Sequence, residues 1–293
     1  MKRLIIIFLL LATSCFAQIE GEGLDHGKLG LNKISGGNPG TTAIDSVAYV
    51  LGSGSTIADR VKNTYPVLYG FKKLWSGVSD SCLILRRSSD NAELSFGFVN
   101  DLLDTASIRT WAGTDTLYVA SWHDQSGNYN DAIQTTAGNQ PIYNDTLAVR
   151  FDGVDDYLTN TMGTFTQPNT FIVTGAFPNI INTKIFASND GFDREELNPT
   201  GSSWRMYAGN TLIYTTNDDM TYISAVFNGA SSFGLFDGTK QTGDAGANSI
   251  KDLNIGCSYA ETFFTNSNYK SFVMSQYGLT ETQCNSNTTY LRE

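Results

Sequence analysis

The chain has 293 residues, a formal net charge of −10 and 16% charged residues. This balance argues against nucleic acid and anionic membranes as partners, because both bind through clusters of Lys and Arg. The surface polarity instead comes largely from Gly, Ser, Thr, Asn and Tyr, a composition common in extracellular proteins rich in β-structure.

The first 17 residues have the layout of a secretory signal peptide. Two basic residues precede an apolar run from Leu4 to Ala12 that is too short to span a bilayer, and small residues follow. Cleavage after Ala17 predicts a protein that is secreted or held at the cell surface. A lipoprotein acylated at Cys15 is the competing interpretation, which we rank second. No later segment predicts a transmembrane helix, and the Gly-rich residues 18–45 predict a flexible lead-in.

The remaining cysteines and the histidines give no metal motif. Cys82, Cys257 and Cys284 are an odd number for an oxidising compartment, so we expect one disulfide and one free thiol, with the pairing left open. His26 and His123 are too few and too far apart for a zinc site. A phosphate-binding GxxxxGK[ST] loop is also missing, so no organic cofactor is expected.

In chain order, the first predicted elements are two short helices. Apolar residues at helical spacing follow Pro66 and predict a helix within residues 65–75. A second helix is predicted within residues 103–113, where Asp104 or Thr105 can cap its N-terminus.

Beyond Thr116, short β-type runs alternate with turns rich in Gly, Asn and Asp. Regular strand-and-turn spacing of this kind predicts an antiparallel β-sandwich, so the fold class is all-β with a few short helices. Asp-Gly pairs at 152–153 and 237–238 supply the positive φ angles that tight turns need.

Two family resemblances follow from longer motifs. From about residue 145 the chain resembles laminin-G/concanavalin A-like domains in four stretches taken in order: VRFDGVDDYL (149–158), TYISAVFNG (221–229), LFDGTKQTG (235–243) and LNIGCS (253–258). It also resembles the catalytic domain of α-L-arabinofuranosidase B, itself a concanavalin A-like sandwich (jelly roll), in LYGFKKLWSG (68–77), LILRRSSDNAELSFGF (83–98) and SWHDQSGNYNDAIQ (121–134). The resemblances imply two parts, 46–144 and 145–293, or one domain over 46–293.

The second resemblance implies where catalytic carboxylates would lie. A retaining glycosidase uses two carboxylates about 5 Å apart, as nucleophile and as acid/base. The family's nucleophile position falls near Asn210 and its acid/base position near Ser258, and neither residue is a carboxylate. Glu261 is the nearest acid. The resemblance therefore implies a catalytically degenerate relative.

Aromatic and acidic residues provide the candidates for binding. Trp204 and Tyr207, beside Gly-rich loops, are the candidate platform for sugar rings, which stack their C–H faces on aromatic side chains. Asp124 is either a sugar or metal ligand or an Asx-turn residue, and the turn is favoured. Glu195 and Glu196 are adjacent, would point to opposite faces of a strand, and are expected at the surface.

One acidic cluster is a candidate cation site. Asp152, Asp155 and Asp156 either hold calcium through their oxygens, as some laminin-G-like domains do, or belong to a turn with solvated acids. Calcium is the one cofactor that the sequence leaves open.

The sequence predicts a secreted, bacterial carbohydrate-binding or adhesion protein whose partner is a polysaccharide or glycan. One alternative is an active retaining α-L-arabinofuranosidase, a glycoside hydrolase acting on plant-type polysaccharide. Another is a structural surface protein with no sugar ligand. A shared fold does not decide among the three.

Overall fold

The computed structural model describes residues 57–75, 77–78, 81–192 and 194–292. The predicted signal peptide and lead-in, with Cys15 and His26, lie outside the described residues. The described residues form three α-helices, α1 to α3 in chain order, at Ile57–Thr64, Thr105–Ala112 and Glu281–Arg292, and a short 3-10 turn at Ala137–Asn139. None of the helices in these ranges is both long and apolar enough to cross a membrane.

The described residues contain nineteen strands, β1 to β19 in chain order. Strands β1 to β10 are Val67–Gly70, Ser81–Arg87, Glu93–Val99, Leu102–Leu103, Leu117–Trp122, Ala132–Ile133, Ile142–Asn144, Ala148–Arg150, Leu158–Phe165 and Asn169–Phe177. Strands β11 to β19 are Phe186–Ala187, Glu196–Pro199, Ser203–Tyr207, Thr211–Thr215, Met220–Phe227, Ser232–Phe236, Thr239–Gly243, Ile250–Ile255 and Asn268–Ser275.

The strands form an antiparallel sandwich of two sheets joined along one side. The first sheet runs β17–β16–β15–β10–β19, and both β1 and β8 pair with the far side of β19. The second sheet runs β3–β2–β5–β6–β9–β18–β11–β12–β13–β14. Strand β7 pairs with both β5 and β8 and so joins the two sheets. The predicted all-β antiparallel sandwich is confirmed.

The core lies between the two sheets and is rich in aromatic residues. Phe186 of the second sheet stacks on Phe171 of the first, with ring centroids 4.2 Å apart, and meets Phe272 edge-on at 5.6 Å. Near the other end Tyr214 stacks on Phe236 at 4.9 Å. Burial of such rings is the main source of sandwich stability, because each removes a large apolar area from water.

The helix predictions have different outcomes. Helix α2 begins as expected, since the Asp104 side chain accepts a hydrogen bond from the Ser107 amide at 3.1 Å. The helix predicted within residues 65–75 is wrong: Val67–Gly70 is strand β1, buried along its whole length and paired with β19. A short apolar run covered on both faces fits a buried strand as well as a helix, and pairing with β19 decides the outcome.

The expected disulfide is also wrong. Cys82 lies in β2, Cys257 follows β18 and Cys284 lies in α3, and all three are free and buried. Burial raises the pKa of each thiol, because the thiolate would lose its hydration.

Candidate functional site

The outward side of the second sheet carries a row of polar side chains at strands β18, β11, β12 and β13. Glu196 pairs with Ala187 on one side and with Tyr207 on the other, and Ala187 pairs with Asn254. Directly paired residues share a face, and alternate residues along a strand share it too. Neighbouring Leu197 therefore points into the core, where it is fully buried.

We call this group of buried and half-buried side chains the Glu196 face. Asn198 and Arg205, which pair with each other, lie on it two residues along from Glu196 and Tyr207. Its members are Lys184, Arg194, Glu196, Asn198, Arg205, Tyr207 and Asn254.

Three cations surround the Glu196 carboxylate, whose side chain is 3% exposed. Lys184 Nζ donates to Glu196 Oε1 at 2.9 Å. Arg194 Nε lies 3.5 Å from Oε2, and Arg205 Nη2 lies 3.6 Å from Oε1. Burial lowers the pKa of Lys184, and the charge of Glu196 acts in the opposite direction. The cluster is thus a partly desolvated ion group with more positive than negative charge.

Aromatic rings hold the Arg194 guanidinium from two sides. Its central carbon lies 4.9 Å from the Tyr207 ring centroid and 5.1 Å from that of Tyr259. Gly191 lies against Tyr259: a Cβ added there would come within 2.9 Å of Tyr259 Cε2. Tyr259 is 42% exposed and Phe192, in the same loop as Gly191, is 97% exposed. The exposed ring of Tyr259 therefore borders the charged cluster.

Several buried polar atoms of the Glu196 face have no hydrogen-bond partner among the described residues. They are the side-chain oxygens of Asn198 and Asn254 and the Nε atoms of Arg194 and Arg205. Asn254 uses only its amide nitrogen, which donates to the Ser258 carbonyl at 2.9 Å. Buried polar groups normally have hydrogen-bond partners, so four unpartnered polar atoms on one face are unusual.

Of the two predicted platform residues, only Tyr207 lies on this face. Trp204 is fully buried, and its Nε1 donates to the Asp218 carbonyl at 3.1 Å. Residues 204 and 207 are an odd number of positions apart in one strand, so their side chains point to opposite sides of the sheet. We therefore remove Trp204 from the binding candidates and keep Tyr207.

Asp124 ties a loop to strand β1. Its carboxylate accepts hydrogen bonds from the amides of Leu68 at 2.9 Å, Ser126 at 2.9 Å and Asn130 at 3.1 Å, and from the Ser126 hydroxyl at 2.6 Å. The residue is 7% exposed. Burial raises its pKa and these hydrogen bonds oppose that rise. In this geometry Asp124 is the Asx-turn residue that the sequence favours and offers no free oxygen edge to a sugar.

The positions implied for catalysis lie in hydrogen-bonded turns. Asn210 donates from Nδ2 to Asp244 at 3.1 Å and accepts from the Thr211 amide. Ser258 shares a hydrogen bond of 2.9 Å with the Thr262 hydroxyl. The carboxylate of Glu261 accepts from the Tyr157 hydroxyl at 2.9 Å. These hydrogen bonds stabilise the conformations of the loops in which the three residues lie.

Glu195 and Glu196 do point to opposite sides, but neither lies at the surface as expected. Glu195 is fully buried, with its carboxylate accepting from Asn169 Nδ2 at 2.9 Å. The run of charged residues DREE suggested a solvated loop, whereas the chain re-enters the sheet at Glu196.

The three aspartates of the candidate calcium site come together. Carboxylate oxygens of Asp152, Asp155 and Asp156 lie within 4.8 Å of one another. Burial, followed by the charge of Asp152, raises the pKa of Asp156 to about 7. Asp152 accepts from the Val154 amide and Asp156 accepts from the Asp152 amide, as in an Asx turn. The set supplies about half of the six to eight oxygens that calcium takes.

A groove of about 380 Å³ lies elsewhere, between α2 and β7. Arg109, Arg150, Asp115 and Asp145 line it with balanced charge, and Tyr143 lies at its wall. None of the residues predicted from the sequence falls there. We favour the Glu196 face as the functional site because its ion cluster and its unpartnered polar atoms coincide.

Comparison with known proteins supports the fold. No protein-family model and no curated protein sequence matches the chain. The structure is similar to a GH54 α-L-arabinofuranosidase soaked with a cyclic sulfate inhibitor, with a TM-score of 0.60 and 12% identity over 80% of this chain and 64% of that one. An arabinofuranosidase complexed with arabinofuranosyl-α-1,2-xylobiose gives a TM-score of 0.58 and 14% identity over the same shares.

This chain thus spans less than two thirds of the length of those enzymes. At such low identity the similarity establishes an arabinofuranosidase-like β-sandwich and nothing about activity. The laminin-G part of the resemblance stays a prediction.

Proposed function

We propose that the chain is a carbohydrate-binding or adhesion protein, secreted or displayed at the cell surface, that binds glycan on the Glu196 face without hydrolysing it. The observation that carries this proposal is the face itself. Charged groups there lie beside the exposed ring of Tyr259, and sugars bind through hydrogen bonds from their hydroxyls and stacking of their C–H faces.

The lack of hydrolysis is inferred from the two positions that resemble catalytic ones. Asn210 and Ser258 can neither attack an anomeric carbon as a carboxylate nor exchange a proton near neutral pH. The carboxylate of Glu196 is engaged in ion pairs with Lys184, Arg194 and Arg205.

The test is glycan binding by the purified full chain and two tyrosine variants. Tyr259→Ala removes a ring at the site, whereas Tyr277→Ala removes a ring of nearly equal exposure, 43% against 42%, that follows β19. We expect Tyr259→Ala to weaken retention on a plant-polysaccharide array about two- to twelvefold, the range given by a stacking contact of about 0.5–1.5 kcal/mol. Tyr277→Ala should leave binding unchanged.

Turnover distinguishes the alternatives. Hydrolysis of a chromogenic arabinofuranoside that Glu261→Gln abolishes would identify an active α-L-arabinofuranosidase and overturn the proposal. If neither turnover nor glycan retention is detected, the result would favour the structural surface protein.

A further inference from the structure

The Glu196 face has more positive than negative charge, whereas the chain as a whole is negatively charged. Lys184, Arg194 and Arg205 are three cations around the single carboxylate of Glu196, in a chain whose net charge is −10. Asp190 lies nearby in sequence, but its carboxylate is 3.5 Å from Lys251. Asp193 lies outside the described residues. Among the described side chains, the ion group therefore carries an excess of positive charge.

The two arginines share a second feature. Each has a buried Nε–H with no hydrogen-bond acceptor among the described residues, although Arg194 Nε lies within ionic distance of Glu196. Their side chains are 24% and 35% exposed, so the guanidinium groups reach the surface from a buried stem. A planar guanidinium presents a fork of N–H donors that matches a carboxylate or a sulfate.

The arginines are also held in position before any ligand arrives. Tyr207 and Tyr259 enclose the Arg194 guanidinium, and the Glu196 carboxylate lies between Arg194 and Arg205. Groups fixed in advance lose little conformational entropy on binding. A second anion beside the cluster would also stabilise the ammonium of Lys184, whose pKa burial lowers.

We propose that the Glu196 face recognises an anionic substituent, a carboxylate or a sulfate ester carried by an acidic polysaccharide, through Arg205 and Arg194. This inference rests on the proposed function and narrows it to a substrate class.

The experiment measures binding of the full chain to polygalacturonate, to carrageenan and to neutral arabinan, which separates carboxylate from sulfate and both from an uncharged glycan. Titrations at about 50 mM and about 300 mM NaCl measure the ionic contribution to binding, because the screening length falls from about 14 Å to about 6 Å between these concentrations. We expect one acidic polymer to bind at least about tenfold more tightly than arabinan, with affinity falling as salt rises.

Two charge-matched variants locate the contact. Arg205→Gln should weaken binding of the acidic polymer about tenfold or more, as expected for one lost charged hydrogen bond. Lys240→Gln removes one positive charge from a surface pair with Glu281, 2.9 Å apart in strand β17 and helix α3, and should leave affinity unchanged. If Arg205→Gln does not fold, Arg205→Lys keeps the charge without the planar fork and should show reduced preference for the acidic polymer.

The outcomes separate the two proposals. Equal affinity for acidic and neutral glycans, unaffected by Arg205→Gln, overturns this inference and leaves glycan binding standing. Equal losses in the Arg205 and Lys240 variants would show diffuse charge attraction and also overturn it. No binding to any glycan contradicts the proposed function itself.

Discussion

Replacing Asp156 with asparagine should remove a pH-dependent loss of stability. Asp156 is 4% exposed, and its pKa is raised from 3.8 to about 7, by burial first and by the charge of Asp152 second. A raised carboxyl pKa means that the folded state holds a proton that the unfolded state has released. The stabilisation from this group is therefore complete below about pH 4 and is lost as the pH rises through about 7.

The size of the effect follows from that pKa difference. About three pKa units, at 1.36 kcal/mol for each, set a ceiling near 4 kcal/mol, and structural relaxation reduces it to roughly 2–4 kcal/mol. The introduced amide would be neutral at every pH and would keep an oxygen for the Asp152 amide, which now donates to Asp156 at 2.9 Å. The variant should match the parent chain near pH 4 and exceed its free energy of unfolding at pH 8.

Urea unfolding at pH 4, 6 and 8, with a chelator present, measures this difference. Asp145→Asn, at an exposed carboxylate, changes the net charge equally and serves as the control. If the parent chain and Asp156→Asn lose stability in parallel between pH 4 and pH 8, the Asp156 carboxyl ionises normally and the reasoning fails. Calcium added at pH 8 should raise the unfolding midpoint of the parent chain more than that of Asp156→Asn if the cluster binds it.

Three further predictions concern buried groups. Trp204→Ala should lower the free energy of unfolding by about 3–5 kcal/mol, as for other buried aromatic side chains, and a change below about 1 kcal/mol would contradict its place in the core. Asp124→Ala should lower the free energy of unfolding by about 2–4 kcal/mol, since it leaves several loop amides without acceptors, and urea titration of both variants measures this. A thiol-reactive dye should count three more thiols in the unfolded than in the folded chain, from Cys82, Cys257 and Cys284, and a smaller difference would indicate exposure or a disulfide.

Much of the fold could be predicted from local sequence. Alternating apolar runs and turn residues indicated the antiparallel sandwich, and the Asp-Gly pair at 237–238 joins β16 to β17 with φ angles of 43° and 86°. Asp104 marked the start of α2 because its capping contact lies within one helical turn. Strand β1 was missed because its partner, β19, lies about 200 residues later in the chain.

The candidate site was harder to predict for the same reason. Glu196 meets Lys184 and Arg205 only through the pairing of β12 with its neighbours, and no sequence spacing reports that register. One signal was present and unused: the odd separation of Trp204 and Tyr207 within a strand excludes a shared face. That spacing excludes the pair as one platform, and the burial of Trp204 in the structure then leaves Tyr207.

The pairing of β1 with β19 has a consequence for how the chain acquires its structure. Val67 lies opposite Met274, and the Tyr290 hydroxyl of helix α3 donates to the Lys73 carbonyl at 2.9 Å. Strand β19 also lies between β1 and β10, so the middle of the first sheet is missing until residues 268–275 have been made. Assembly of the first sheet therefore requires residues 268–275, and slow, concerted folding is expected, as is usual for folds dominated by distant contacts.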